Sequence, residues 1–175
     1  MSNSKPIPVV NPTPKKSPVT CTKHITCREA CAAGACLSAF LLPITKYYDG
    51  PVVALVGEET SGSYQGLFNA IGGKGDPQDN GCLIKCLIRE VLEEGKIDLS
   101  DHATFEKAMR DPVTGKLRVM YVGAGKTPVF VGAFPGLSRG PINAKISLDN
   151  QDPTLSSFQK ELSQVQWVQV GDGVT

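Results

Sequence analysis

The chain has 175 residues, with 18 basic against 17 acidic side chains, a formal net charge of +1 and 41% hydrophobic residues. That length suits one domain, which buries roughly two-thirds of the surface its unfolded chain exposes. The charge balance excludes a protein that coats polyanions, which needs a strong basic excess, but not one that takes a nucleotide-sized ligand through a metal ion.

In chain order, residues 1–20 carry Pro6, Pro8, Pro12, Pro14 and Pro18, with Lys5, Lys15 and Lys16. This spacing predicts an extended, disordered tail of polyproline-II character. It has no apolar h-region of a secretory signal. The longest apolar run, 30–44, is too short and interrupted to span a bilayer, so a soluble, cytoplasmic protein with no membrane partner is expected. Residues 21–35 form a Cys-rich lead-in, with Cys21, Cys27 and Cys31, and Cys36 just beyond. Their spacing, with His24 among them, matches no common zinc knuckle. Buried free cysteines acting as small hydrophobes are expected, with zinc ligation or disulfides as the alternatives.

Strand-like runs at 37–43 and 51–56 flank Tyr47-Tyr48-Asp49-Gly50, whose Asp-Gly pair signals a hairpin or turn. A glycine-rich loop, Gly72-Gly73-Lys74-Gly75-Asp76-Pro77, lets the backbone approach a ligand closely. From 81 to 94, Leu83, Ile84, Leu87, Ile88, Val91 and Leu92 recur with helical period and form one apolar face. Asp79 or Asn80 is the expected N-cap and Gly95 the stop, with Cys82 and Cys86 packed beside the apolar face. A weaker helix at 100–109 ends before Asp111-Pro112, and strands follow at 117–122 and 128–134. Three prolines and two glycines make 135–153 a long irregular loop. A short helix at 156–162 and an alternating strand at 165–170 complete an α/β domain.

The chemistry concentrates on Arg89-Glu90-Val91-Leu92-Glu93-Glu94. At about 100° per residue, Glu90, Glu93 and Glu94 share an arc of roughly 100° beside the apolar face. They also occupy the last turns, where the helix dipole opposes each negative charge by a few tenths of a kcal/mol. Clustered carboxylates suit a hard divalent cation, and the glycine-rich loop ahead of the helix offers carbonyl oxygens. A solvated acidic helix end paired with Arg89 and Lys96 is the plainer alternative.

The run Arg89 to Ile97 resembles the second half of the Nudix hydrolase signature, Arg-Glu-apolar-x-Glu-Glu-x-Gly-apolar. In that signature a glycine, five residues, a Glu and seven residues come before the arginine. The resemblance covers about residues 36–171 and implies a Nudix-like α/β/α sandwich with a mixed sheet over 36–175. It implies hydrolysis of the pyrophosphate bond of a nucleoside diphosphate linked to another moiety, with Mg2+ or Mn2+ as cofactor. Glu90, Glu93 and Glu94 are the implied metal ligands, joined by a backbone carbonyl at Gly72 or Gly73. Arg89 would orient Glu90, and Glu161, six residues before Trp167, would act as ligand or general base. A small-molecule nucleotide is the implied partner, with polymeric nucleic acid expected only as a capped end.

Two departures favour an alternative, a catalytically impaired Nudix-like binding or assembly module. Strict spacing from Gly75 puts Gly81 where the signature has its first Glu, whereas anchoring on Gly72-Gly73 leaves Asp79 nearest that acid in a longer loop. Lys96 stands at the late glycine. Tyr47, Tyr48, Tyr64, Phe68 and Phe134 are aromatic groups of the kind that stack on a nucleobase, and Arg139 is a cation in the long loop; none is assigned a role.

Overall fold

A computed structural model describes residues 25–31, 36–46, 50–99, 102–123 and 127–171. The tail, Cys21, His24, Tyr47 and Tyr48 lie outside the described residues. The elements run α1 (Ile25–Ala30), β1 (Ser38–Lys46), β2 (Val52–Glu59), β3 (Phe68–Asn69), β4 (Ile71–Lys74) and α2 (Leu83–Glu93), then α3 (His102–Met109), β5 (Val119–Val122), β6 (Thr127–Ala133), α4 (Arg139–Gln151) and β7 (Leu162–Gly171). Short 3-10 turns occupy Gly62–Tyr64, Pro77–Asp79 and Ser157–Lys160, the last in place of the expected short helix.

The sheet is mixed. β1 runs antiparallel to β2 and to β4 and parallel to β6, while β2 also pairs antiparallel with β3 and β7. Val53, Ala54, Leu55, Val56 and Gly57 are buried in succession. Successive strand residues face opposite sides, so both faces of the sheet are covered there. Helix α2 packs on β4 and β1, α3 on β6 and α4 on β7. The α/β class and mixed sheet expected from the sequence are the ones the chain forms.

Several local expectations are corrected. Most of the supposed irregular loop at 135–153 is the 13-residue helix α4, which buries Ile142, Ile146 and Asp149. Pro141 sits in its first turn, where no intrahelical N–H bond is lost. Gly72, Gly73 and Lys74 are not loop but strand β4, paired with Phe40, Ala39 and Ser38. Helix α2 starts later than expected: its N-cap is Cys82, without a side-chain cap, and Asp79 instead closes a reciprocal capping box with Asp76. The residue that turns left-handed after α2 is Lys96, at φ +52°, and not Gly95.

The cysteines also divide differently. Cys31 and Cys36 form a disulfide, which corrects the free-thiol expectation for that pair. Cys27, Cys82 and Cys86 are buried, with the Cys27 and Cys82 sulfurs 4.0 Å apart. Among the described residues no helix is long and apolar enough to cross a membrane.

Candidate functional site

Helix α2 buries Leu83, Ile84, Leu87 and Val91 against the sheet, which leaves Arg89, Glu90, Glu93 and Glu94 along the edge of that stripe. Arg89 organises the edge. Its Nε donates to Asp79 Oδ1 at 2.9 Å and its Nη2 to Asp79 Oδ2 at 2.8 Å. Its Nη1 donates to Glu90 Oε1 at 2.7 Å and to Glu93 Oε2 at 3.2 Å, and Nη2 also reaches the Lys74 carbonyl at 3.0 Å. A planar guanidinium suits such a fork, because its donors lie in fixed directions.

Asp79 is buried and accepts the Asp76 N–H as well, at 2.8 Å. Asp79 is thus the acid that faces the arginine. Asn80 and Gly81 follow it with φ of +51° and +69°, turning the chain out of the 3-10 turn towards α2. Gly81 thus serves a backbone need, since left-handed φ favours glycine.

The carboxylates come from three parts of the chain. Glu94 is 5% exposed. Burial first, then the neighbouring Glu161 carboxyl, with smaller contributions from Glu90 and Glu59, push the Glu94 carboxyl up to about 11. Glu90 is raised by burial, opposed by Arg89 and reinforced by Glu93 and Glu161. Glu59, at the end of β2, is raised by burial and then by Glu161. Glu59 and Glu161 are joined through Thr60, whose N–H and hydroxyl donate to the Glu161 carbonyl at 2.8 and 3.0 Å.

The structure therefore brings together Arg89, Glu90, Glu93, Glu94 and Glu161, all expected from the sequence, and adds Glu59. The only signal for Glu59 was an acidic pair at the end of an apolar run. Gly73 lies against this group: a Cβ there would stand 2.6 Å from the Glu90 carboxyl carbon, so a larger residue displaces the carboxylate. The Gly73 carbonyl receives a weak contact from the Cys86 thiol, at 3.9 Å. Burial, with Asp79 and Glu90 adding, pushes that thiol up to about 12. Tyr64 and Phe68 are exposed, and Phe134 packs half-buried against the core. Arg139 is the exposed first residue of α4.

The candidate ligands are oxygens, the donor type that hard divalent cations take, and the glycine at 73 leaves the space that the Glu90 carboxylate occupies. Among the described residues, no three Asp, Glu, His or Cys side chains are gathered closely enough to hold a metal ion. Arg89 takes one oxygen each of Glu90 and Glu93.

No family model and no curated protein matches this sequence. Among solved structures, the chain is similar to the Nudix domain of Shewanella oneidensis NrtR complexed with ADP ribose, at 13% identity and TM-score 0.44, over 77% of this chain and 72% of that one. It is similar to a Nudix hydrolase from Alicyclobacillus acidocaldarius at 16% identity and TM-score 0.46, over 75% of this chain and 78% of that one. A bifunctional NMN adenylyltransferase/ADP ribose pyrophosphatase from Francisella tularensis matches at 19% identity and TM-score 0.43, over 77% of this chain and 33% of that one.

Proposed function

We propose that the protein is a divalent-cation-dependent pyrophosphohydrolase acting on a nucleoside diphosphate linked to another moiety. The observation that carries this reading is the Arg89 fork: Asp79 grips the guanidinium with both carboxylate oxygens, and Arg89 holds one oxygen each of Glu90 and Glu93 on the helix edge that also carries the buried Glu94. A solvated acidic helix end has no reason to bury Glu94 against a second carboxyl, because like charges in low dielectric repel strongly.

In this reading Glu90, Glu93 and Glu94, with the Gly73 carbonyl, would hold magnesium or manganese. The bound cation would neutralise the pyrophosphate and stabilise the charge that develops on its oxygens. Water attacks one phosphorus in line, and two phosphate-bearing products leave. Arg89 keeps one oxygen of Glu90 and of Glu93 in place and leaves their other oxygens to the site. Asp79 fixes the guanidinium plane, so the pair acts as one preorganised unit. Glu161 is the general base in this scheme: it accepts the proton of the attacking water, and Thr60, bonded to its backbone carbonyl, ties its segment to the end of β2.

A second reading, a Nudix-like binding or assembly module without turnover, is favoured by the engagement of Glu90 and Glu93 with Arg89. One assay separates the two. The purified protein is incubated with magnesium and a panel of nucleoside diphosphate derivatives, beside Glu93→Gln and Glu94→Gln. The enzyme reading expects turnover that falls about 100-fold or more in each variant. No turnover above these controls on any substrate sinks it.

A further inference from the structure

Two elements distant in sequence bring thiols together. Cys27, in α1, and Cys82, the residue that opens α2, hold their sulfurs 4.0 Å apart where the two helices pack. Both are thiols, 0% and 4% exposed. Bonded sulfurs stand about 2 Å apart, so an approach of about 2 Å, within the reach of side-chain rotation, would join them. One turn further along stands a disulfide already made, Cys31–Cys36. The Cys31 N–H donates to the Cys27 carbonyl at 3.0 Å, which continues the helical turn and sets Cys31 on the same face as Cys27. Cys31 is half-buried, whereas Cys27, Cys36 and Cys82 lie in one buried core.

Burial keeps a dissolved oxidant from Cys27 and Cys82, because thiol–disulfide exchange needs access to the sulfur attacked. The neighbouring disulfide removes that need. It places an oxidising bond one helical turn from Cys27 and ends at the better exposed Cys31.

We propose that Cys27 and Cys82 form a second disulfide site, filled by exchange with Cys31–Cys36, which relays oxidising equivalents from a low-molecular-weight disulfide in solution. The Cys27 thiolate attacks the Cys31 sulfur. A Cys27–Cys31 bond forms, the Cys31–Cys36 bond breaks, and Cys36 leaves as a thiolate that takes up a proton. The Cys82 thiolate then attacks the Cys27 sulfur, and Cys31 leaves in the same way. Two thiols are oxidised and one disulfide is reduced, and the protons of Cys27 and Cys82 end on Cys36 and Cys31. The dissolved disulfide restores Cys31–Cys36 and is itself reduced to two thiols. The new bond spans 55 residues of sequence against 5 for the old one, so it restrains the unfolded chain more. It ties α1 to the start of the central helix.

The test uses the full chain and glutathione disulfide as probe. Samples are quenched in acid, remaining thiols are blocked, and pairing is mapped by mass spectrometry of the unreduced digest. The wild-type chain is expected to stay monomeric, to gain a Cys27–Cys82 linkage and to melt at a higher temperature than before treatment. In Cys31→Ala, which lacks the relay, the linkage is expected to form about tenfold or more slowly. A wild-type chain in which Cys27 and Cys82 never pair, or pair with other cysteines instead, overturns the site. An equal rate in folded Cys31→Ala overturns the relay. Should Cys31→Ala not fold, the order of events in the fully reduced wild-type chain decides. Cys31 bonded to glutathione or to Cys36 before Cys27–Cys82 appears supports the relay, and the reverse order overturns it.

Discussion

Glu94 is the residue whose surroundings say most about the site. Its carboxyl is held near 11 in the folded chain, against an ordinary value of 4.5. Below 4.5 both folded and unfolded chains keep the proton. As pH rises from there towards 11, the unfolded chain releases it and the folded chain does not, so stability falls by at most about 1.4 kcal/mol per unit. Urea midpoints without added metal should therefore drop between about pH 5 and pH 8, and Glu94→Gln should flatten that drop. An unchanged slope in the variant would show that Glu94 is not the group that resists ionisation. Gly81 gives a second prediction. If strict spacing mattered, Gly81→Glu would restore a missing acid and raise activity. Because φ is +69° there and Asp79 already holds Arg89, the substitution should instead cost about 1 kcal/mol in urea denaturation and leave activity no higher.

At the level of elements, α2 was legible because its apolar period is strong: Leu83, Ile84, Leu87 and Val91 are buried as expected and Ile88 partly so, whereas Leu92, expected on the same face, is exposed. Its ends were not. Capping depends on which side chain reaches which N–H, and Asp79 was diverted to Asp76 and Arg89. Helix α4 was missed for a different reason: prolines and glycines at its start outweighed a sparse apolar stripe of Ile142 and Ile146. Its stability comes from β7, as when Asn143 bonds both the N–H and the carbonyl of Val165 at 2.7 and 3.0 Å. Ile146, 1% exposed, tests the element. Ile146→Ala should destabilise the chain by about 2–5 kcal/mol in denaturant titration, whereas a residue on an irregular surface loop would lose less than about 0.5 kcal/mol.

Across the whole molecule, α1 precedes β1 closely, and the Cys31–Cys36 disulfide links the end of one to the approach of the other. Cys27 and Ala30 belong to the same buried core as Leu83 and Leu87, so α1 packs into that core. Reduction of the disulfide should lower stability by roughly 2 kcal/mol, as expected for closing so short a loop. Thermal melting with and without dithiothreitol checks this, and an unchanged midpoint would mean that α1 docks through its buried face alone.

The α/β class, the central helix, and the presence of Arg89, Glu90, Glu93 and Glu94 on one edge of it were legible in periodicity, which is local and survives without knowledge of neighbours. Which distant groups face that edge was set by the packing of the folded chain. Glu59, Asp79 and Glu161 come from other segments, and their approach depends on the β2–β7 pairing and on the turns at Pro77–Asp79 and Ser157–Lys160. The +1 net charge concealed this concentration of acid, because charge is counted over the chain whereas desolvation and repulsion act between groups a few ångströms apart.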